Sequence, residues 1–135
     1  MTKRSGGLTA NMNGKMFESR IAEILDLNDY DSTAQPENGV NLYGRTIRSD
    51  LLFEKNGEPI AIEAKHQGGR GSADEKYPFT VLSIKTGAVY PTIIVYGGGG
   101  ARPSAIEWMK TQVGGMLIGV FDIVEFDDWL KGCGR

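Results

Sequence analysis

The sequence is poor in the residues that build covalent frameworks. Its single cysteine, Cys133, excludes a disulfide framework and a multi-cysteine metal site. Together with the lack of a signal-peptide pattern, this predicts a reducing, cytoplasmic setting. No apolar run approaches the ~18 residues of a membrane span, so no membrane partner is expected. Excess positive charge is also lacking, because 15 Lys and Arg stand against 17 Asp and Glu for a net charge of -2. Any polyanionic partner must therefore meet a local basic patch.

The remaining composition is that of an ordinary globular domain. With 135 residues, 40% hydrophobic and 24% charged, the chain is long enough for one domain with its own core. Residues 1–13 are polar and carry Lys3 and Arg4, so we expect a mobile basic tail there. Residues 14–135 are expected to form a single domain.

Hydrophobic periodicity and turn residues predict the order of the elements. Phe17, Ile21, Ile24 and Leu25 recur at helical spacing, and Asn13 can cap that helix. At most one short strand is expected before the hairpin, at residues 40–43. Later segments predict two helices at residues 78–85 and 103–113, two strands at 91–96 and 116–123, and a last helical turn at 126–130. The result is an α/β sandwich with a mixed sheet, antiparallel at the hairpin and parallel where a helix returns the chain.

Two alternating runs flank Asn56-Gly57, a pair that favours a two-residue type I′ hairpin turn. Pairing from that turn places residue 53 opposite 60 and residue 50 opposite 63. One face of the hairpin is then apolar: Leu51, Phe53, Ile60, Ile62 and Ala64. The other face carries the polar and charged side chains, among them Arg48, Asp50, Glu63, Lys65 and Gln67.

This register brings Asp50 and Glu63 directly opposite each other, with Cβ atoms ~5 Å apart. Like charges so placed repel, and a divalent cation removes the penalty. Mg²⁺ prefers oxygen ligands and often takes only one or two protein carboxylates. We therefore expect Mg²⁺ here, with Mn²⁺ substituting, and Ca²⁺ binding without supporting turnover. No small-molecule cofactor is expected.

The stretch SDLLFEKNGEPIAIEAKHQ resembles the active-site hairpin of the PD-(D/E)XK nuclease superfamily. In that family an Asp ends one strand and Glu-x-Lys lies on the next, which matches Asp50, Glu63 and Lys65; Ser49 replaces the name-giving proline. The resemblance implies a restriction-endonuclease-like fold with helices on both faces of the sheet. Its core order is αβββαβ, here followed by a C-terminal helix and strand.

The same resemblance implies roles for further residues. GKMFESR is similar to the stretch in which Holliday-junction resolvases carry a helical Glu near the metal, here Glu18. The Ala64 carbonyl is implied as an additional metal ligand, and Gln67 as the polar residue that often follows the motif. Lys65 would orient or deprotonate the attacking water, or stabilise the phosphorane; the sequence leaves this open.

Basic residues beside the predicted site suggest where DNA lies. Candidate phosphate contacts are Lys3, Arg4 and Lys15 near the first helix and Arg48, Arg70 and Lys76 around the active strand. The loop at residues 68–76 is equally compatible with a phosphate-contacting loop and a solvated linker.

These residues predict a Mg²⁺-dependent DNA endonuclease. A chain almost used up by the catalytic core favours structure-guided cutting of branched DNA such as Holliday junctions. A homodimer would cut two strands, in recombination in a bacterial or phage-infected cell. A sequence-specific restriction endonuclease, a non-catalytic DNA-binding module that retains the fold, and an RNA nuclease stay open as alternatives.

Overall fold

A computed structural model describes residues 13–69, 71 and 73–132. A short 3-10 helix, Ala73–Lys76, precedes the second helix. The helices are α1 (Gly14–Leu27), α2 (Tyr77–Gly87), α3 (Pro103–Thr111) and α4 (Ile123–Leu130). The strands are β1 (Ser32–Ala34), β2 (Glu37–Val40), β3 (Thr46–Arg48), β4 (Leu51–Lys55), β5 (Glu58–His66), β6 (Thr92–Gly97) and β7 (Leu117–Phe121). No helix within these described ranges is long and apolar enough to cross a membrane.

Five strands form one mixed sheet in the order β1-β4-β5-β6-β7. The pairs β1–β4 and β4–β5 are antiparallel, and the pairs β5–β6 and β6–β7 are parallel. The predicted hairpin register is confirmed, with Phe53 opposite Ile60 and Lys55 opposite Glu58. Asn56 and Gly57 have φ angles of 54° and 81°, as a type I′ turn requires at both central positions.

Helices cover both faces of the sheet, as predicted. On one face, α1 and α4 enclose the apolar side of the hairpin; its buried residues include Phe17, Ile21, Leu25, Leu51, Phe53, Ile60, Ile62 and Phe126. On the other face, α2 and α3 pack on a second cluster of Tyr77, Val81, Ile84, Ile94, Met109, Leu117 and Val120. The alternation of β5 therefore divides its side chains between two environments.

The segment before the hairpin was predicted wrongly. Instead of one strand at 40–43 it contains three short strands, and residues 41–44 form the turn between β2 and β3. Strands β2 and β3 pair only with each other in a two-stranded ribbon. Three- and four-residue strands are too short to show a reliable alternation, since their partners rather than their own pattern define them.

Other boundaries moved by a few residues. Helix α3 ends at Thr111, before the predicted glycine stop, and β7 spans only Leu117–Phe121. Helix α4 begins earlier than predicted because Asp122 and Glu125 form a capping box. The predicted loop at 68–76 ends in the 3-10 helix, whose Asp74 is buried and accepts from the Arg102 backbone N–H.

A buried asparagine connects the ribbon to the sheet beside the hairpin. Asn38 donates to the hydroxyls of Ser49 and Thr92, at 3.0 Å each, and accepts from the backbone N–H of Tyr90. A buried amide needs all of these partners to offset its desolvation. Because Ser49 precedes Asp50, this network fixes the chain where β4 begins.

Candidate active site

Asp50 lies immediately before β4, and hydrogen bonds to β5 hold both its backbone N–H and its carboxylate. Its backbone N–H donates to the Ile62 carbonyl at 2.9 Å, although Ile62 is already the partner of Leu51, so the regular hairpin ladder ends here. Its Oδ2 accepts from the Ala64 backbone N–H at 2.7 Å. The bond from the Ala64 N–H brings the Asp50 carboxylate beside Glu63, whose negative charge raises the pKa of Asp50.

The backbone carbonyl of Ala64 is directed toward Asp50. The Ile62 carbonyl points toward β4, and backbone groups two residues apart along a strand point to the same side. The Ala64 carbonyl is thus directed toward the edge where β4 has not yet begun, beside Asp50. This direction is compatible with its predicted role as a metal ligand.

Glu63 is a largely buried carboxylate whose side chain is only 16% exposed. Its Oε2 lies 3.8 Å from the Lys65 Nζ. Its Oε1 is buried and accepts no hydrogen bond from the residues that the structure describes. An unpaired buried carboxylate oxygen is costly, and a cation bound at that oxygen would remove the cost. The donor set of Asp50, Glu63 and the Ala64 carbonyl therefore fits a hard divalent ion.

The raised pKa values of Asp50 and Glu63 also indicate a cation site. Burial first, and then the negative charge of Glu63, raise the pKa of Asp50 to about 7, although the Ala64 N–H acts in the opposite direction. Burial also raises the pKa of Glu63, and nearby Glu18 adds to this, while Lys65 and the Ser49 hydroxyl oppose it. Two neighbouring acids that are hard to ionise together are typical of a cation site or a catalytic dyad.

Glu18 approaches this pair from α1, a helix that Asn13 caps through the Met16 N–H at 2.9 Å. Its carboxyl group contributes to the raised pKa of both Asp50 and Glu63, as a like charge on each and as a hydrogen-bonding group on Asp50. Within the described ranges, however, no three His, Cys, Asp or Glu side chains form a closed metal-binding group. Glu18 is thus placed beside the pair rather than within one tight cluster.

A groove beside Glu63 and Lys65 gathers three cationic side chains. It encloses about 320 Å³, and its lining includes Arg48, Glu63, Lys65, Lys76 and Phe79. Arg48 also makes an exposed contact of 3.4 Å with Glu37, which contributes little by itself. The structure therefore brings Arg48 and Lys76 to the predicted site.

The other predicted DNA contacts lie elsewhere. Lys15 is exposed in the first turn of α1, three residues before Glu18. Lys3, Arg4 and Arg70 fall outside the described residues, as does most of the predicted 1–13 tail. Their contacts with DNA stay predictions.

Comparison with known families decides the classification of this site. A family model described as a PD-(D/E)XK nuclease superfamily domain matches residues 3–131. The chain belongs to the PD-(D/E)XK nuclease superfamily. Glu63 and Lys65 lie on β5 and Asp50 lies immediately before β4, and their roles in this family's motif stay predictions.

Two solved structures are similar to this chain at low sequence identity. Protein VC1899 from Vibrio cholerae is 18% identical, with a TM-score of 0.50, over 89% of this chain and 34% of that one. A protein of unknown function, AF1548, is 14% identical, with a TM-score of 0.49, over 78% of this chain and 54% of that one. The chain thus corresponds to about a third and about half of these two proteins. No curated protein matches the chain.

In this nuclease-superfamily domain the Gln67 side chain bonds to loop backbone, whereas its motif position implied a place among the catalytic side chains. Its amide Nε2 donates to the carbonyls of Gly69 and Gly100, at 3.3 and 3.1 Å. Its backbone carbonyl accepts from the Gly100 N–H at 2.7 Å. Gln67 therefore joins the glycine-rich loops that follow β5 and β6. Its participation in catalysis stays a prediction.

Close backbone approach explains the glycines of the loop after β6. A Cβ added at Gly98, whose φ is +98°, would come within 2.4 Å of the Gln67 carbonyl oxygen. A Cβ at Gly100 would come within 2.3 Å of the Gly69 carbonyl oxygen. Positive φ and such proximity both require glycine.

Two features of the site region were missed from the sequence. The Asn38–Ser49 contact depends on a buried asparagine in a segment that shows no apolar alternation. The Tyr43 and Phe79 rings, 36 positions apart in the sequence numbering, meet at a centroid distance of 4.9 Å. No sequence spacing links these two residues, because the ribbon turn and α2 meet only in the folded chain.

Proposed function

We propose that the chain is a Mg²⁺-dependent DNA endonuclease. Membership of a nuclease superfamily gives the broad class, and the buried, partly unpaired Glu63 carboxylate beside Asp50 is the observation that carries the proposal. Asp50, Glu63 and the Ala64 carbonyl would hold the ion, with Glu18 nearby as a further carboxylate. Mn²⁺ is expected to substitute, and Ca²⁺ to bind without turnover.

The chain's own residues supply the rest of the chemistry. A bound Mg²⁺ would lower the pKa of a water and offset charge on the scissile phosphate. The Lys65 Nζ, 3.8 Å from the Glu63 carboxylate and partly exposed, is placed to orient that water or to stabilise charge on the phosphate. The Ala64 N–H holds the Asp50 carboxylate in position. Arg48 and Lys76 would hold neighbouring phosphates along the groove.

Incubation of the purified chain with supercoiled plasmid tests the proposal. Nicked or linear products should form with Mg²⁺ or Mn²⁺ and should disappear when a chelator is added. Glu63→Gln, which keeps the shape of the side chain and removes its charge, should be inactive. Absence of any metal-dependent cleavage by the wild-type protein on DNA of several structures would favour the non-catalytic DNA-binding alternative.

Within this function we propose structure-guided cutting of branched DNA by a homodimer. The charged groups in the groove other than Glu63 are cations, and contacts to phosphate carry position but no sequence information. A symmetric dimer would place two such grooves on two duplex arms. Matched four-way junction, flap and linear duplex substrates test this. Cuts at one short base sequence irrespective of branching would instead identify a restriction endonuclease.

A further inference from the structure

An exposed aromatic ring lies at the edge of the catalytic groove. Tyr43, in the turn between β2 and β3, is 80% exposed, yet its ring contacts Phe79 at a centroid distance of 4.9 Å and an interplanar angle of 41°. Phe79 in turn lines the groove that contains Glu63 and Lys65. One side of the Tyr43 ring is thus backed by the protein, and most of its surface is free.

The turn that carries Tyr43 is held firmly. The Asn41 side-chain oxygen accepts from the Tyr43 and Arg45 N–H groups, at 2.8 and 3.1 Å. The Leu42 N–H donates to the Ser83 hydroxyl of α2 at 3.1 Å, which ties the turn to the groove wall. Such a turn presents the ring with little conformational entropy left to lose on binding.

The surroundings of Tyr43 favour a nucleic acid as the occupant. Arg45, Arg48 and Lys76 supply positive charge on the ribbon and at the groove, and the groove leads directly to the predicted scissile-phosphate position. Aromatic platforms next to basic grooves are how proteins hold single-stranded nucleic acid. An apolar protein surface would leave these three cations without anionic partners.

The ligand is an unpaired base rather than a base pair. In a duplex, each base already has both faces stacked on its neighbours, so only an unstacked base offers a face to a side chain. The groove encloses about 320 Å³, at the small end of ligand sites, which suits the entry of one nucleotide at a time from a duplex arm that lies across it.

We propose that Tyr43, backed by Phe79, stacks an unpaired nucleobase of the DNA strand that is cleaved at Asp50 and Glu63. This inference rests on the proposed endonuclease function and deepens it. It gives a physical basis for preference for branched or flapped DNA, since such substrates supply unpaired bases beside a duplex. Tyr43 and Phe79 would then determine which DNA structures the protein prefers, without contacting the reacting atoms.

Fluorescence of 2-aminopurine tests the stacking directly. The probe is placed at the unpaired position next to the branch point of a flap substrate, and binding is measured in Ca²⁺ so that no cleavage is needed. Wild-type protein should quench the fluorescence on binding. Tyr43→Leu should lose most of the quenching and bind the flap about tenfold more weakly, whereas Tyr43→Phe, which keeps the ring, should behave as wild type.

A fully paired duplex of the same sequence is the matched control. Tyr43→Leu should weaken its binding much less than that of the flap. Equal weakening on both substrates, or quenching that persists in Tyr43→Leu, would overturn the proposal. Phe79→Leu gives a second variant, in which a smaller loss of quenching on the flap is expected because Tyr43 stays in place; full retention of quenching would contradict the backing role of Phe79.

The two proposals fail differently. Quenching that depends on Tyr43, with no cleavage in Mg²⁺ or Mn²⁺, would support the stacking site and reject the nuclease function. Metal-dependent cleavage together with quenching that is independent of Tyr43 would reject the stacking site and leave the nuclease function standing.

Discussion

The two faces of the β4–β5 hairpin show how one pair of strands serves both stability and chemistry. On one face, Leu51, Phe53 and Ile60 are buried in the cluster under α1 and α4. On the other, Asp50 and Glu63 are crowded acids with raised pKa values. Because side chains alternate along a strand, neighbouring positions differ sharply in what they contribute. The apolar face stabilises the fold that holds the unfavourable charges of the other face in place.

The largest effect expected from breaking the polar face is on catalysis. Lys65→Ala should reduce turnover by about 10²–10⁴-fold, since its proposed role is in the transition state. Affinity for DNA in Ca²⁺ should change little. Single-turnover cleavage in Mg²⁺ and binding titrations in Ca²⁺ measure the two quantities.

A lysine at the other end of the same hairpin is the control for this variant. Lys55 lies over the Trp129 ring, 5.2 Å from its centroid, far along β4 from the acidic pair. Lys55→Ala should cleave at close to the wild-type rate. A near wild-type rate for Lys65→Ala would instead show that this hairpin is not the active centre.

Breaking the apolar face should affect stability and leave the chemistry in place. Ile60 is 5% exposed in the cluster under α1, so Ile60→Ala should lower the free energy of unfolding by about 2–5 kcal/mol. Urea unfolding monitored by Trp129 fluorescence measures this. Ile60→Val, which removes only one methyl group, should cost about 0.5–1.5 kcal/mol. Equal costs for both variants would show that the site collapses around the lost volume.

The sequence allowed prediction of the parts of the fold that depend on local pattern. The Asn56-Gly57 turn and the alternation around it set the register from Lys55 to Leu51, and extending this register by one residue predicted that Asp50 lies near Glu63. The mixed sheet followed from the order of the longer elements, and the helices on both of its faces followed from the resemblance of the hairpin motif. These features depend on residues that are close together in the chain, where periodicity and turn chemistry carry information.

Contacts between distant segments could not be predicted in this way. The β2–β3 ribbon is held by Asn38, which bonds to Ser49 and to Thr92, 54 residues away. Gln67 was grouped with the catalytic side chains by its motif position, yet its amide joins two glycine-rich loops. In each case a polar side chain finds its partners only after the chain has folded, and no spacing in the sequence marks it.

Neutralising one acid of the pair sharpens the comparison of the two faces. Asp50→Asn should weaken Mg²⁺ or Mn²⁺ binding by at least about tenfold, because one anionic ligand is lost. In chelator the same variant should be more stable than wild type, since the repulsion from Glu63 is relieved. The asparagine side chain still offers an oxygen to the Ala64 N–H. Calorimetric titration and thermal unfolding measure the two effects.

An exposed acid on the same strand serves as the control for Asp50. Glu54 lies on β4 with an exposed side chain, and Glu54→Gln should change neither metal affinity nor stability by a measurable amount. Unchanged metal affinity in Asp50→Asn would remove these carboxylates from the metal site.

The last effect expected is on the pH dependence of stability in the metal-free protein. The pKa of Asp50 is raised from 3.8 to about 7 in the folded chain, so between these values the folded state holds a proton that the unfolded state has released. Stability should therefore fall as pH rises from about 4 to about 7, with a slope of at most about 1.4 kcal/mol per pH unit for this one proton. The lowered pKa of Glu125, whose partial burial is outweighed by hydrogen bonds from the Asp122 N–H and Lys110, acts only at lower pH. Urea unfolding in chelator across this range should show a shallower slope for Asp50→Asn, with the part due to Glu63 remaining. A slope unchanged by this substitution would show that Asp50 is already ionised in the metal-free fold, and that the acidic pair costs the protein less than its burial implies.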